Sequence, residues 1–298
     1  VRALTGGKEI TLSDLQAEPD CRSLKEYLEK FDIPLSAMQT REGLYAAARD
    51  FIHSLEGDGV RYVEVRFAPM QSVHPGLSCG QVLESVLEGL LQARRETGID
   101  SRVIVCAMRH HPQEKNLEMM RTARNYLGQG VCALDLAGDE AAYPLKEFRQ
   151  LFAEAKKLEF PFTIHAGECQ SLENVREAVE LGAARIGHGI ALSKDPELMK
   201  TVGRLGIGLE LCPTSNFQTR AASPETYPLR KFLQARLAVS INTDNRTVSG
   251  TTLSKELELA ARLSGGLGDE RLFTENAVRT AFLSEEEKKE LLGKLEIS

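Results

Sequence analysis

Short β-branched apolar runs alternate with longer amphipathic segments along this chain. The strand-like runs occupy residues 60–69 (VRYVEVRFAP), 102–108 (RVIVCAM), 131–138 (VCALDLAG), 161–167 (PFTIHAG), 185–190 (RIGHGI), 207–213 (IGLELCP) and 238–244 (AVSINTD). Between them, stretches such as 82–94 and 172–181 carry apolar residues three and four apart, the period of a helix with one buried face. Strand alternating with helix predicts right-handed βαβ units and a parallel sheet. Ahead of the first run, residues 22–31 and 41–55 read as helices, with no convincing strand.

The seven runs are evenly spread, with no Pro-, Gly- or Ser-rich linker, so the pattern predicts one domain over residues 1–298. Seven is one short of a closed (β/α)₈ barrel. An open doubly wound sheet can hold seven strands, but no G-x-G-x-x-G follows an early run. The expected fold is therefore α/β, a TIM-type (β/α)₈ barrel with additional N-terminal helices. Its first strand would lie before Val1, which makes the expected domain N-terminally incomplete.

The totals narrow the choice of partner. A chain of 298 residues suffices for one large barrel, and its formal net charge of -6 argues against binding a nucleic-acid backbone. No apolar run reaches membrane-spanning length, and no signal-like segment is present. The 6 cysteines contain no C-x-x-C pair, and four sit in or beside apolar runs. They read as reduced, mostly buried thiols of a cytoplasmic protein. The expected partner is a small molecule, not a nucleic acid or a membrane.

Unusual polar residues gather at the ends of the strand-like runs. His165 ends the fourth, with Glu168 just after it; His188 ends the fifth; Asn216 follows the sixth; Asp244 and Asn245 close the seventh. Gly138 and Asp139 end the third. In a parallel barrel all these positions open onto the C-terminal rim, where active sites of the fold are built. Each has an ordinary alternative: His165 a structural histidine, Asp244 a helix cap, Glu168 a solvated loop carboxylate. Independent caps have no reason to choose one face, and that convergence favours a site. His110 and His111, in the run MRHHP, read as a supporting or substrate-facing element.

Six blocks resemble the adenosine deaminase family in order and spacing. They are LDLAGDE (134–140), TIHAGE (163–168), RIGHGI (185–190), LELCPTSN (209–216), SINTDN (240–245) and NAVRTAFLSEEEKKELL (276–292). The segment CRSLKEYLEKFDIP (21–34) resembles the family's substrate-covering helix. The resemblance implies hydrolytic deamination of adenosine or 2′-deoxyadenosine, releasing ammonia, by a zinc-activated water. His165 and Asp244 would be metal ligands, since zinc takes imidazole nitrogen and carboxylate oxygen. His188 would orient the hydroxide, as a base or as an electrostatic stabiliser. Glu168 would protonate the purine N1, which requires burial to raise its pKa. Gly138 would offer its N–H to N3, while Tyr27, Leu28 and Phe31 would cover the ribose side or simply form a buried helix face.

The chain departs from the family pattern in two places. Position 245 is Asn where many relatives have Asp; its amide can donate to the purine N7 at any pH, or it merely caps the next helix. The H-x-H pair that ends the family's first strand and supplies two further ligands occurs nowhere here. Gly187 before His188, and the LAGDE element, favour a nucleoside over free adenine. Deaminases of adenine, AMP or N6-modified purines remain alternatives, as does a catalytically silent shortened paralogue. Arg109 and Arg246 are the candidates for a phosphate-binding group in a nucleotide enzyme.

Overall fold

Each of the seven apolar runs becomes a parallel strand. The computed structural model describes residues 10–18, 21 and 23–296. The strands are β1 (Tyr62–Phe67), β2 (Asp100–Met108), β3 (Val131–Ala137), β4 (Thr163–Ala166), β5 (Arg185–His188), β6 (Gly208–Leu211) and β7 (Val239–Ile241). They pair in chain order as β1-β2-β3 and β4-β5-β6-β7, and a Leu134–Phe162 bridge joins the two groups. Among the described residues β1 and β7 are the edges. Six of the strands are shorter than their runs, because the rim residues leave the ladder, whereas β2 begins two residues earlier, at Asp100.

The helices begin with α1 (Leu12–Leu15), α2 (Leu24–Glu29), α3 (Asp32–Ala37) and α4 (Arg41–His53). Those of the barrel follow as α5 (Cys79–Thr97), α6 (Gln113–Arg124), α7 (Arg149–Lys157), α8 (Leu172–Glu180), α9 (Pro196–Leu205), α10 (Pro213–Gln218) and α11 (Leu229–Gln234). After β7 come α12 (Arg246–Ser249), α13 (Leu253–Ser264), α14 (Glu270–Thr280) and α15 (Glu285–Glu296). Thr40 caps α4 and Ser78 caps α5, and Gly98 ends α5 in the left-handed region, all as helix-end chemistry requires. The helix expected over 22–31 is only α2, and Arg22 lies outside the described residues. A second short helix, α3, follows; its Pro34 sits in the first turn, where a missing N–H costs nothing. No helix among the described residues is long and apolar enough to cross a membrane.

Alternation along each strand sorts the side chains onto two faces. Val103, Val105, Leu134, Leu136, Ile164, Ile186, Leu209 and Val239 face the helices and join the main apolar core. Apart from a small apolar cluster of Ile104, Cys132 and Ala133 against Phe282, the other face is charged. Arg66 on β1 reaches both Asp135 on β3 and Glu210 on β6, and Arg185 on β5 reaches Glu64 on β1 (2.6 Å) and Glu210 (2.5 Å). Strands β1 and β6 are not neighbours in the sheet, so these contacts show that it curls around its own interior. A TIM-type barrel is usually filled by Val, Ile and Leu; here ion pairs fill much of it. Its lower end is stoppered by Phe282, whose N–H donates to Glu64 (2.6 Å) and whose ring lies 4.1 Å from the Arg185 guanidinium.

Candidate active site

The upper end of the same interior presents the candidate residues. His165 is the third residue of β4, and its Nδ1 lies 2.8 Å from Asp135 Oδ2, off the N–H axis. Asp135 is fully buried and is also held by Arg66 at 3.0 Å. Burial works against a charged His165, but Asp135 outweighs it and lifts the imidazole above its ordinary value. Burial likewise works against the Asp135 carboxylate, yet His165 and Arg66 together hold it well below the usual range. The pair leaves Nε2 of His165 as the nitrogen available to a ligand.

Glu168 follows on a tight loop. Gly167 has φ +81, and a Cβ there would fall 2.5 Å from Val175, so only glycine makes this turn. Glu168 is 5% exposed; one carboxyl oxygen lies 3.6 Å from His188 Nε2 and the other has no hydrogen-bond partner. Burial raises its pKa, against the pull of His188. That is the protonation bias expected of a proton donor.

His188 and Asp244 are both held at positive φ, 59 and 54, a region disfavoured for residues with a Cβ and one that clusters at functional sites. His188 Nδ1 is 3.0 Å from Asn216 Nδ2, while Tyr227 donates to Asn216 Oδ1. With that amide orientation Nδ1 accepts, and the imidazole proton belongs on Nε2, facing Glu168. Ser215 donates to Asp244 at 2.7 Å. The His165 and His188 ring centroids are 5.2 Å apart. Among the described residues, no three His, Cys, Asp or Glu side chains group to hold a metal ion.

The comparisons with known proteins converge on one family. The family model for adenosine deaminase matches residues 7–297. An adenosine deaminase of Enterococcus faecalis is 44% identical over 97% of this chain and 86% of its own length. One from Clostridium botulinum is 43% identical over 91% and 82%. The chain belongs to the adenosine deaminase family. Among solved structures, adenine deaminase from Arthrobacter aurescens superposes with TM-score 0.85 at 21% identity, covering 98% of this chain and 91% of that one. A zinc-bound amidohydrolase from Burkholderia ambifaria gives 0.78 at 23%, covering 84% and 71%. These two likenesses establish the α/β TIM-type fold.

His165, Glu168, His188 and Asp244 lie near one another at one end of the strands. Gly138 has φ +107, so its backbone requires glycine at the end of β3. Asn245 does cap α12, its Oδ1 accepting from Val248 N at 2.9 Å, which leaves the amide nitrogen as a donor. Tyr27 is buried, its hydroxyl 2.8 Å from Ser249, and burial beside Asp244 and Glu168 pushes the phenol up. Phe31 packs against Tyr27 at a ring distance of 6.0 Å, and Leu28 is half-buried.

The two phosphate-site candidates serve other ends. Arg109 is 1% exposed and donates to the carbonyls of Tyr143 (2.6 Å) and His165 (2.7 Å). Arg246 is paired with Asp58 and donates to the Ser54 carbonyl. His110 and His111 pack on each other, and His111 meets Lys115. All 6 cysteines are free, and all but Cys169 are buried. Sequence reasoning passed over Asp135, Glu140 and Arg66. A signal was present: each charge stands in or beside an apolar run, where burial is costly unless it is paired.

Proposed function

We propose that this chain hydrolyses adenosine and 2′-deoxyadenosine to inosine and 2′-deoxyinosine, one water entering and one ammonia leaving. The observation that carries the reading is Glu168, a buried carboxyl with raised pKa and one unpartnered oxygen, set beside His188, His165 and Asp244. A protonated Glu168 donates to N1 of the purine, which draws electron density from C6 and opens it to attack. His188, with its proton on Nε2, orients and stabilises the attacking oxygen. Gly138 N–H binds N3, and the Asn245 amide nitrogen donates to N7. Tyr27, Leu28 and Phe31 cover the ribose and exclude water. As the tetrahedral centre collapses, the amino group leaves as ammonia.

His165 Nε2 and the Asp244 carboxylate fit a zinc ion in kind, the first set by Asp135 and the second by Ser215. A zinc ion that keeps one position for water needs three protein donors, and the described residues supply these two. When bound, the ion lowers the pKa of its water so that hydroxide exists near neutral pH. We place this activity in one barrel domain over residues 1–298, in the cytoplasm, where six free thiols stay reduced. A nucleoside is preferred over a nucleotide because Arg109 and Arg246 are already engaged. Parallel assays on adenosine, 2′-deoxyadenosine, adenine and AMP test the reading. Adenosine should give the highest kcat/KM; a clear preference for AMP or adenine would sink it.

A further inference from the structure

The loop that carries Glu168 is tied down at both of its neighbours by one carboxylate. Glu140, in the loop after β3, is 3% exposed. Its Oε1 accepts from Gly167 N at 2.5 Å and its Oε2 from Cys169 N at 2.8 Å, the two peptide nitrogens that flank Glu168. Asn174 on α8 donates its Nδ2 to Glu140 Oε1 at 2.9 Å, and its Oδ1 accepts from Leu145 N at 2.9 Å. Arg109 adds a cation to the same junction, joining the Tyr143 and His165 carbonyls. The loops after β3 and β4 are thus cross-linked, by Arg109 through the His165 carbonyl and by Glu140 through the peptide nitrogens on either side of Glu168.

We propose that Glu140 is a positioning residue for Glu168. By holding the N–H groups on both sides, it fixes the backbone from which the Glu168 carboxyl projects, and so fixes the line along which its proton reaches N1. The inference rests on the reading of Glu168 as proton donor. Only a carboxylate serves at position 140, because every group facing its two oxygens is a donor. A glutamine of the same shape turns an amide NH₂ against either the Gly167 or the Cys169 N–H and loses one tie. A displacement of roughly 1 Å at a reacting group costs about a hundredfold in rate.

The test is a double-mutant cycle on the zinc-loaded enzyme, with kcat and KM for adenosine, Kd for inosine and thermal midpoint measured for each form. Glu140→Gln should lower kcat about a hundredfold, with KM and inosine Kd close to wild type. Adding it to Glu168→Gln should produce no further loss, because the residue it aims is already gone. A structural role would instead multiply the two losses, or weaken inosine binding in step with kcat. Either result, or a Glu140→Gln enzyme with wild-type kcat, overturns the inference. Should that variant fail to fold, Asn174→Ala removes one support of Glu140 and must show the same lack of additivity. Full turnover in Glu168→Gln alone would overturn the reading of Glu168 and take this inference with it.

Discussion

The two ends of the barrel interior are built from the same residue types and behave in opposite ways. At the lower end, Arg185 and Glu210 are buried, Glu64 and Arg66 are partly buried, and every one of these charges is opposed by a partner. At the upper end, Glu168 is equally buried yet keeps one oxygen without a hydrogen bond. A buried polar group left unpaired costs free energy that folding alone would not retain. The lower end therefore shapes the barrel, while the upper end holds its unused valence for something that arrives. Asp135 connects the two, accepting Arg66 from below and approaching His165 above.

The sharpest break in that comparison is Glu168→Gln. It should leave the metal content unchanged and reduce turnover roughly 10³-fold, within the range for a lost general acid. Wild-type-like turnover with full zinc occupancy would show that the upper end does not work through Glu168. At the lower end the expected loss is of stability instead. Glu210→Leu takes a carboxylate from both Arg185 and Arg66; because Glu64 and Asp135 remain, the cost should be about 3 kcal/mol in denaturant unfolding. A variant as stable as the parent would mean that the ion pairs merely fill space.

Acid should expose the lower end as well. Burial works to raise the Glu210 pKa, but Arg66 and Arg185 prevail and hold it at about 2, below the ordinary 4.5. A depressed carboxylate adds stability that is complete above its unfolded value and is lost as pH falls towards the folded one. Unfolding curves should therefore show stability declining from about pH 4.5 down to about 2, and the Glu210→Leu variant should decline less steeply. The smallest effect should come from Tyr27→Phe, which removes the hydroxyl that meets Ser249 and Ser215. About 1 kcal/mol of covering-helix stability should appear as a several-fold rise in KM for adenosine with kcat little changed. An unaltered KM would remove Tyr27 from the substrate-covering role.

Much of the upper end was legible in the chain itself. His165, His188 and Asp244 stand at strand ends because a strand must stop where its polar residues meet the rim, and runs of β-branched residues mark those stops. The lower end was less visible. The run VRYVEVRFAP reads as a strand, yet nothing local says that Glu64 and Arg66 point inward towards Glu210, which is far away in sequence. Their partners are fixed by how the sheet curls, which is a property of all seven strands together. The short helix α3 was not anticipated either: the helix expected from the sequence ends at Phe31, and Pro34 lies in the first turn of the next one. Glu140 hid for a different reason: its worth lies in backbone groups of another loop, and backbone groups leave no trace in a sequence.

Phe282 carries a consequence for the order in which this protein is assembled. Its N–H meets Glu64 across 218 residues, and the Thr280 carbonyl receives Arg185 beside it. The charged floor of the barrel is thus finished by a segment far downstream of the strands that bear Glu64 and Arg185. Until that segment arrives, Arg185 and Glu64 have no stopper between them and water, and the strands that bear them gain little by closing. Contacts of such long sequence separation slow folding, because the entropy of the intervening loop must be overcome first. A nascent chain of this protein should consequently remain open at the bottom, and dependent on protection from aggregation, until the segment around Phe282 has emerged.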